Sequence, residues 1–422
     1  MIKLSLFALL FNFLSFQPTT TTPLPALRWN TAVIFDLPTE PDPKVESIVD
    51  QYLQDLKAKG LPVNKQGVWI QSDWAELGDN QGKIAAPAAS LTKIATTIAA
   101  LETWELNHQF LTKVYALGKI EGGILDGDLV IEGEGDPVFV WEEAIALGNR
   151  LNELGIKEVK GNLKIIGEFT MNFREDSLQS AQLLKQGLNS AQWSALVEKQ
   201  YKDISPLPAR PKLEIRGNIV KENELPQGVE LLVTHKSLTL AEILKLMNVY
   251  SNNKIAENLA NKIGGGHKIQ EIVIKLAQIQ PSEIQLINGS GLGVDNRISP
   301  RAACRMFIAL EQQLKGKNMN IADLFPVSEI DKKGTIEDRN IPAGVAVKTG
   351  TLSTVSALAG AISTEERGTI WFAIINYGSN LDYLRSQQDV LLQNLETHWS
   401  LNSLKPMNNN LSYFGDPARN NE

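Results

Sequence analysis

A single cysteine, Cys304, stands in a chain of 422 residues. That excludes an intramolecular disulfide and every zinc site built from paired thiolates, and its simplest reading is a small buried residue on a helix. Histidine is almost as scarce. His108, His235, His267 and His398 are scattered, and no two have the spacing that puts a pair of imidazoles on one helix face as a metal site requires. A Ser-His-Asp triad has no Gly-x-Ser-x-Gly elbow to rest on. Positive charge is short too. With 41 basic against 48 acidic residues the formal net charge is −7, the wrong balance for a surface that neutralises a phosphate backbone. Nucleic acid is therefore not an expected partner.

What remains is an ordinary globular composition, 43% hydrophobic and 21% charged, long enough for one large domain carrying an insert or for two domains. Lys3 precedes an apolar run over residues 4–14, too short to span a bilayer comfortably but ordered like a secretory signal. A Thr/Pro linker over 17–25 follows without a clear small-x-small cleavage site. The segment is either removed or kept as an N-terminal membrane anchor, and the expected location is extracytoplasmic, in the periplasm.

Periodicity divides the rest. Val45, Ile48, Val49, Tyr52 and Leu56 recur at helical spacing. Residues 67–72 and 83–86 flank the turn-rich Asp79-Asn80-Gln81-Gly82 and read as a hairpin. Leu91, Ile94, Ile98 and Leu101 give an amphipathic helix starting at or near Ser90. Between about 110 and 234 the chain turns β-rich with Gly turns, the pattern of an inserted domain. Helices resume at Leu240, break at Tyr250-Ser251-Asn252-Asn253 and continue to Gly264. Three strands (345–348, 355–362, 369–376) and a helix from 381 to about 399 close the pattern. The expected partition is 1–25 leader or anchor with linker, 26–109 and 236–401 as two parts of one catalytic domain, 110–235 as the insert, and 402–422 as a disordered, Asn-rich tail.

Three motifs occur in order: Ser90-Leu91-Thr92-Lys93, Ser251-Asn252-Asn253 and Lys348-Thr349-Gly350. A serine and a lysine three apart share a helix face. The alcohol is a poor nucleophile unless a neutral amine takes its proton, and burial beside a second cation lowers a lysine pKa in that direction. Lys348 is the candidate second cation; with Thr349 it offers donors to a substrate carboxylate. Gly350 leaves room for an extended peptide at a strand edge. Ser251 is the candidate proton relay to a leaving amine and Asn253 the holder of a substrate amide. The backbone N–H groups of Ser90 and Thr351 would form an oxyanion hole. Each motif alone is weak, because Ser251-Asn252-Asn253-Lys254 is a second Ser-x-x-Lys and Ser400-Leu401-Asn402 a second Ser-x-Asn. Isolated copies read as helix caps and turns; the ordered set does not.

The ordered set marks penicillin-binding proteins and class A β-lactamases. Its context, Pro87-Ala88-Ala89 before Ser90, Ala256-Glu257-Asn258-Leu259 after Asn253, Asn288-Gly289-Ser290-Gly291-Leu292, Lys333-Gly334-Thr335-Ile336 and Gly135-Asp136-Pro137, resembles the low-molecular-mass class C penicillin-binding proteins, serine D-Ala-D-Ala carboxypeptidases and endopeptidases. Asn252 and Asn288 stand where that family more often shows Asp, and the stretch between the first two motifs is shorter than in fuller members. The resemblance implies an α+β catalytic domain, an antiparallel sheet with helices on both sides, carrying a β-rich insert. It implies acylation of Ser90 by peptidoglycan stem peptides and by β-lactams, with no metal or organic cofactor. A β-lactamase, and a non-catalytic β-lactam sensor or wall-binding protein, are the alternatives.

Overall fold

The computed structural model describes residues 42–408 and 412–421. The leader or anchor expected over 1–25 lies outside these residues. Among the described residues no helix is long and apolar enough to cross a membrane.

One antiparallel sheet joins an early and a late stretch of the chain. Its order is Ala346–Leu352, Val355–Thr364, Gly368–Tyr377, Gln66–Gln71, Glu76–Asn80, with Leu401–Asn402 added beside Val355–Thr364. The early strand Gln66–Gln71 pairs directly with the late strand Gly368–Tyr377, Val68 opposite Ile374 and Ile70 opposite Phe372. Because side chains alternate across a strand, the sheet presents two faces. Val68, Ile70, Leu358, Ile362, Phe372 and Ile374 pack toward one core with residues of the helices Pro43–Ala58 and Leu381–His398. Trp69, Ala357, Ala359, Ala361 and Ala373 face the other, with Ile94, Ile98 and Leu101 of the helix Thr92–Thr103. The helix Pro300–Leu314 lies directly against this face of small side chains, and Thr92–Thr103 packs in turn on that helix. The expected arrangement, an antiparallel sheet with helices on both sides, is the one observed.

Thr92–Thr103 differs from the amphipathic helix expected, since every residue from Thr92 to Leu101 is buried. A helix surrounded on all sides must satisfy its polar groups internally. Thr96 donates to the Gly289 carbonyl at 2.6 Å and Thr97 to the Lys93 carbonyl at 2.8 Å. The early hairpin also differs. Ser72 closes a tight turn, its N–H bonded to the Ala75 carbonyl and its Oγ accepting from Ala75 N–H, so the partner of Gln66–Gln71 is Glu76–Asn80. The chain over 83–87 instead gives Ala86–Pro87, which pairs with Arg297–Ile298 in a small separate sheet.

Residues between Leu111 and Lys236 build a second sheet with its own core. The long hairpin Leu111–Glu121 and Ile124–Glu134 continues to Glu230–Lys236 on one side and, in parallel, to Leu163–Glu168 on the other. Parallel pairing needs a crossover, and the helix Trp141–Glu153 supplies it; Ser177–Gly187 and Ala195–Asp203 add two more helices. The insert is thus mixed α/β rather than simply β-rich. Gly turns signalled its strands, while the side-chain caps Asp176 and Ser194 that start two of the helices were overlooked.

The tail also departs from the disorder expected over 402–422. Asn420 and Asn421 pair with His235 and Thr234, and Arg419 donates to Glu143 at 2.6 Å and to the Tyr413 carbonyl at 2.9 Å. Asn-rich composition gives no hint of this because the contacts that anchor the segment, backbone bonds to Asp323 and Glu242 and a buried ion pair with Glu143, are made to distant parts of the chain. Burial pushes the Glu143 carboxyl up to about 7, against the opposing pull of Arg419. Removing Arg419 leaves that carboxyl buried without its cation, a loss on the order of 3 kcal/mol. A carboxyl whose folded pKa lies above its unfolded value loses stability as pH rises. Arg419→Ala is therefore expected to lower the urea midpoint more at pH 8 than at pH 5, whereas Arg210→Ala, in an exposed pair with Glu198, shifts it little at either pH.

Candidate active site

Ser90 sits in a short 3-10 turn, Ala89–Leu91, leading into Thr92–Thr103, and no side chain caps that turn. Ala89 has φ of 49°, a left-handed conformation rare for a residue with a Cβ. The turn is wedged tightly: a Cβ on Gly291 would meet the Ala89 carbonyl oxygen at 1.9 Å, and one on Gly350 would meet the Ala88 carbonyl oxygen at 2.8 Å. The room expected at Gly350 for an approaching peptide is taken instead by the protein's own Ala88–Ala89 backbone. The strand Ala346–Leu352 nevertheless ends the sheet order, and beyond its contacts with Pro326 and Val327 at Ala346 and Val347 an edge remains along its later residues.

One turn into the helix, Lys93 is fully buried. Its Nζ lies 2.9 Å from Ser90 Oγ, 2.7 Å from Asn253 Oδ1 and 2.8 Å from the Ser290 carbonyl oxygen. Two of these partners only accept. A neutral amine has two N–H groups and one lone pair, so with Asn253 and Ser290 filling the N–H groups, the lone pair is left for the Ser90 hydroxyl. Burial pushes Lys93 down to about 7, with the negative charge of Glu257 pulling the other way. A substantial fraction of the amine is thus neutral near pH 7.

Ser251 occupies the bend between Leu240–Val249 and Asn253–Ile263, with φ of 51°. Asn252 caps the second helix, accepting from Lys254 N–H at 2.9 Å and Ile255 N–H at 3.1 Å. Asn and Asp cap equally well, so the departure from the usual Asp at this position falls on a capping residue. The competing Ser-x-x-Lys is dismissed by the same turn: Lys254 points outward to Glu175 at 2.7 Å, both well exposed. From the facing strand, Lys348 Nζ donates to Ser251 Oγ at 3.1 Å and to the Thr349 carbonyl at 2.9 Å. Lys348 is fully buried, and burial together with the nearby Lys93 holds its pKa well below the usual value. A permanent charge on Lys348 is accordingly not what its surroundings favour before an anion arrives. Two amines in one dry site titrate as a coupled pair.

Ser90, Ser251, Asn253, Thr349, Gly350 and Thr351 line one cleft of about 610 Å³. Every residue expected from the three motifs converges there or directly beneath it. Sequence reading gave no roles to several neighbours. Arg339 forms a buried ion pair with Asp389 at 2.7 Å, Arg385 donates to Thr351 Oγ1 at 3.2 Å, and the Ser290 carbonyl completes the lysine's shell. Ser290 stood within a segment already quoted for its resemblance, whereas Arg385 carried no sequence signal.

A family model described as D-Ala-D-Ala carboxypeptidase 3 (S13) matches residues 45–170 and 211–396. A D-alanyl-D-alanine carboxypeptidase of Haemophilus influenzae is 23% identical over 391 residues, covering 69% of this chain and 80% of that protein. Two solved structures are similar. The penicillin G-acylated predatory endopeptidase of Bdellovibrio bacteriovorus, in complex with an immunity protein, is 25% identical with a TM-score of 0.66, covering 80% of this chain and 91% of its own. Penicillin binding protein 4 of Haemophilus influenzae is 19% identical with a TM-score of 0.61, covering 82% and 98%.

The capping role assigned to Asn252 is testable apart from any activity. Asn252→Asp is expected to leave the unfolding free energy within a few tenths of a kcal/mol, and Asn252→Ala to lower it by about 1 kcal/mol, both read from urea titrations. Equal losses in the two variants would place the importance of Asn252 elsewhere.

Proposed function

The chain belongs to the D-Ala-D-Ala carboxypeptidase 3 (S13) family, and from that premise we propose that it hydrolyses peptidoglycan stem peptides through an acyl-enzyme on Ser90. The observation that carries this reading is the shell of Lys93, two fixed acceptors and one hydroxyl. Ser90 Oγ attacks the carbonyl carbon of the penultimate D-alanine while its proton passes to the neutral Lys93 amine. The backbone N–H groups of Ser90 and Thr351 are the proposed oxyanion hole. As the tetrahedral intermediate collapses, the leaving amine takes a proton through Ser251, whose Oγ already accepts from Lys348. Once Lys93 has given up the serine's proton, water attacks the ester and passes a proton to Lys93, which returns it to Ser90 Oγ as the shortened peptide is freed. A β-lactam enters the same first step and remains attached.

Lys348 and Thr349 are proposed to bind the carboxylate beside the scissile bond. An arriving anion favours the ammonium form of Lys348 and supplies the charge that burial removes. Asn253 serves both Lys93 and the substrate amide. The leaving group, D-alanine or the amine of a cross-linked neighbour, decides between carboxypeptidase and endopeptidase action. We place the enzyme outside the cytoplasm, in the periplasm, with residues 1–25 as its export signal or anchor; the cell-wall substrate requires such a location. The insert over 110–235 is proposed to shape access to the cleft without contributing a reacting group.

Three measurements test the reading. Peptide mapping after labelling with a penicillin is expected to find the label on Ser90; a label on Ser251 overturns the assignment. Single-turnover acylation is expected to rise with pH through about 7, as Lys93 loses its proton. Lys93→Arg keeps a cation that does not deprotonate and should lower the rate about 10²–10⁴-fold at every pH. Lys348→Arg should weaken binding yet keep a pH-dependent rate. Equal, pH-independent losses in both variants would reject the division of roles. Digestion of purified peptidoglycan fragments, with the products identified by mass, is expected to release D-alanine, cleaved cross-links, or both.

A further inference from the structure

Glu257 lies one turn beyond Asn253 on the same face of the helix Asn253–Ile263. Its two carboxylate oxygens accept from the backbone N–H groups of Gly289 at 3.3 Å and Ser290 at 3.0 Å. The carbonyl of the same Ser290 is the one that accepts from Lys93. The remaining polar groups of this loop are engaged as well: the Gly289 carbonyl accepts from Thr96 and the Gly291 N–H donates to Asn288 Oδ1 at 2.8 Å. The loop is also seated against the helix, since a Cβ on Gly289 would meet Ala260 Cβ at 2.4 Å and the Ala256 carbonyl oxygen at 2.7 Å. Glu257 fixes the two peptide units before Ser290, and the unit that carries the Ser290 carbonyl is held by the Gly291 N–H bond to Asn288, so the carbonyl stands on a loop that Glu257 anchors to the helix.

We infer that Glu257 is the positioning residue for Lys93, anchoring the loop that brings the Ser290 carbonyl to the amine and placing a negative charge behind it. The inference rests on the reading of Lys93 as the base for Ser90. Groups facing Lys93 are Ser90 from its own helix, Asn253 and Glu257 from Asn253–Ile263, Ser290 from the loop, and Lys348 from the strand. Burial opposes a charge on the amine, and Glu257 favours it. Glu257 also lines a polar cavity of about 310 Å³. Two cations lining that cavity are engaged elsewhere, Lys254 by Glu175 and Lys262 by Glu168 and the Glu134 carbonyl; Arg174 and Lys221 line it too. The carboxylate is therefore directed to the loop and, through it, to Lys93. Its effect would be to keep the amine from becoming so weak a base that it no longer takes the serine proton.

Single-turnover acylation of the full chain by a fluorescent penicillin, followed from mildly acidic to mildly alkaline pH, tests this. Glu257→Gln keeps the size and one acceptor but removes the charge. Its rising limb is expected to move down by about one pH unit, with a plateau several-fold lower. Glu257→Asp keeps the charge on a shorter arm; its plateau should fall while its limb stays near the parental position. The position of a limb does not depend on what fraction of the preparation is folded, so partial misfolding of either variant does not blur the result. A Glu257→Gln limb at or above the parental pH, or a Glu257→Asp limb displaced as far as that of Glu257→Gln, overturns the inference. If the parent itself shows no limb, or takes no label on Ser90, the failure lies in the assignment of Lys93 and the inference falls with it.

Discussion

A buried amine governs the arrangement of this molecule. Lys93 has no solvent exposure, and a full charge in such a place costs several kcal/mol, on the order of what a buried ion pays after relaxation. The structure meets that cost from two sides. It lowers the basicity of the amine by burial, and it aims fixed oxygens at every direction the nitrogen can use. Those oxygens come from three separate stretches of chain: the turn before the helix, the bend after Val249 and the loop at Ser290. Each stretch is held by further contacts that serve no chemistry of their own. The Asn252 cap fixes the bend and the Glu257 carboxylate fixes the loop.

Close approach is the second requirement, and it is met with small residues. Ala357, Ala359 and Ala361 on one strand and Ala373 on its neighbour present a low face to the helix Pro300–Leu314. Gly350 and Gly291 remove the side chains that would push the Ala88–Ala89 turn away. Lys348 stands directly opposite Ala359 in the sheet, on the face that carries the helix, which is why a strand residue reaches the serine at the Ser251 bend. The antiparallel order brings this about by joining strands that lie roughly 300 residues apart in the chain through the Gln66–Gln71 and Gly368–Tyr377 pairing.

The insert and the tail show another use of buried charge. Asp136, Glu143, His235 and Arg419 are all buried together where the tail returns to the second sheet. Burial pushes Asp136 and Glu143 up to about 7 and His235 down to about 3. The imidazole is therefore neutral, and one guanidinium faces two carboxyl groups that resist ionising together. A tail read from composition alone becomes the cation of that cluster.

Some of this was legible in the sequence, because some of the physics is local. Ser90 and Lys93 are three apart, and any helix through them places both side chains on one face. Alternation and helical spacing gave four strands of the first sheet, though not Glu76–Asn80, together with the bend at Ser251 and the closing helix in nearly their observed places. The three ordered motifs named the residues that meet in the cleft. What the sequence did not contain is direction. It could not show that the helix carrying Lys93 is buried all round, that Gly350 accommodates the protein's own backbone, or that Lys348 is too deeply enclosed to hold its charge unaided. Nor could it pair Glu257 with Ser290, or Arg419 with Glu143, across 33 and 276 residues. Periodicity and spacing act over one or two turns of chain. Burial and the electrostatics that follow from it exist only once distant segments have packed, and here they set the state of both lysines.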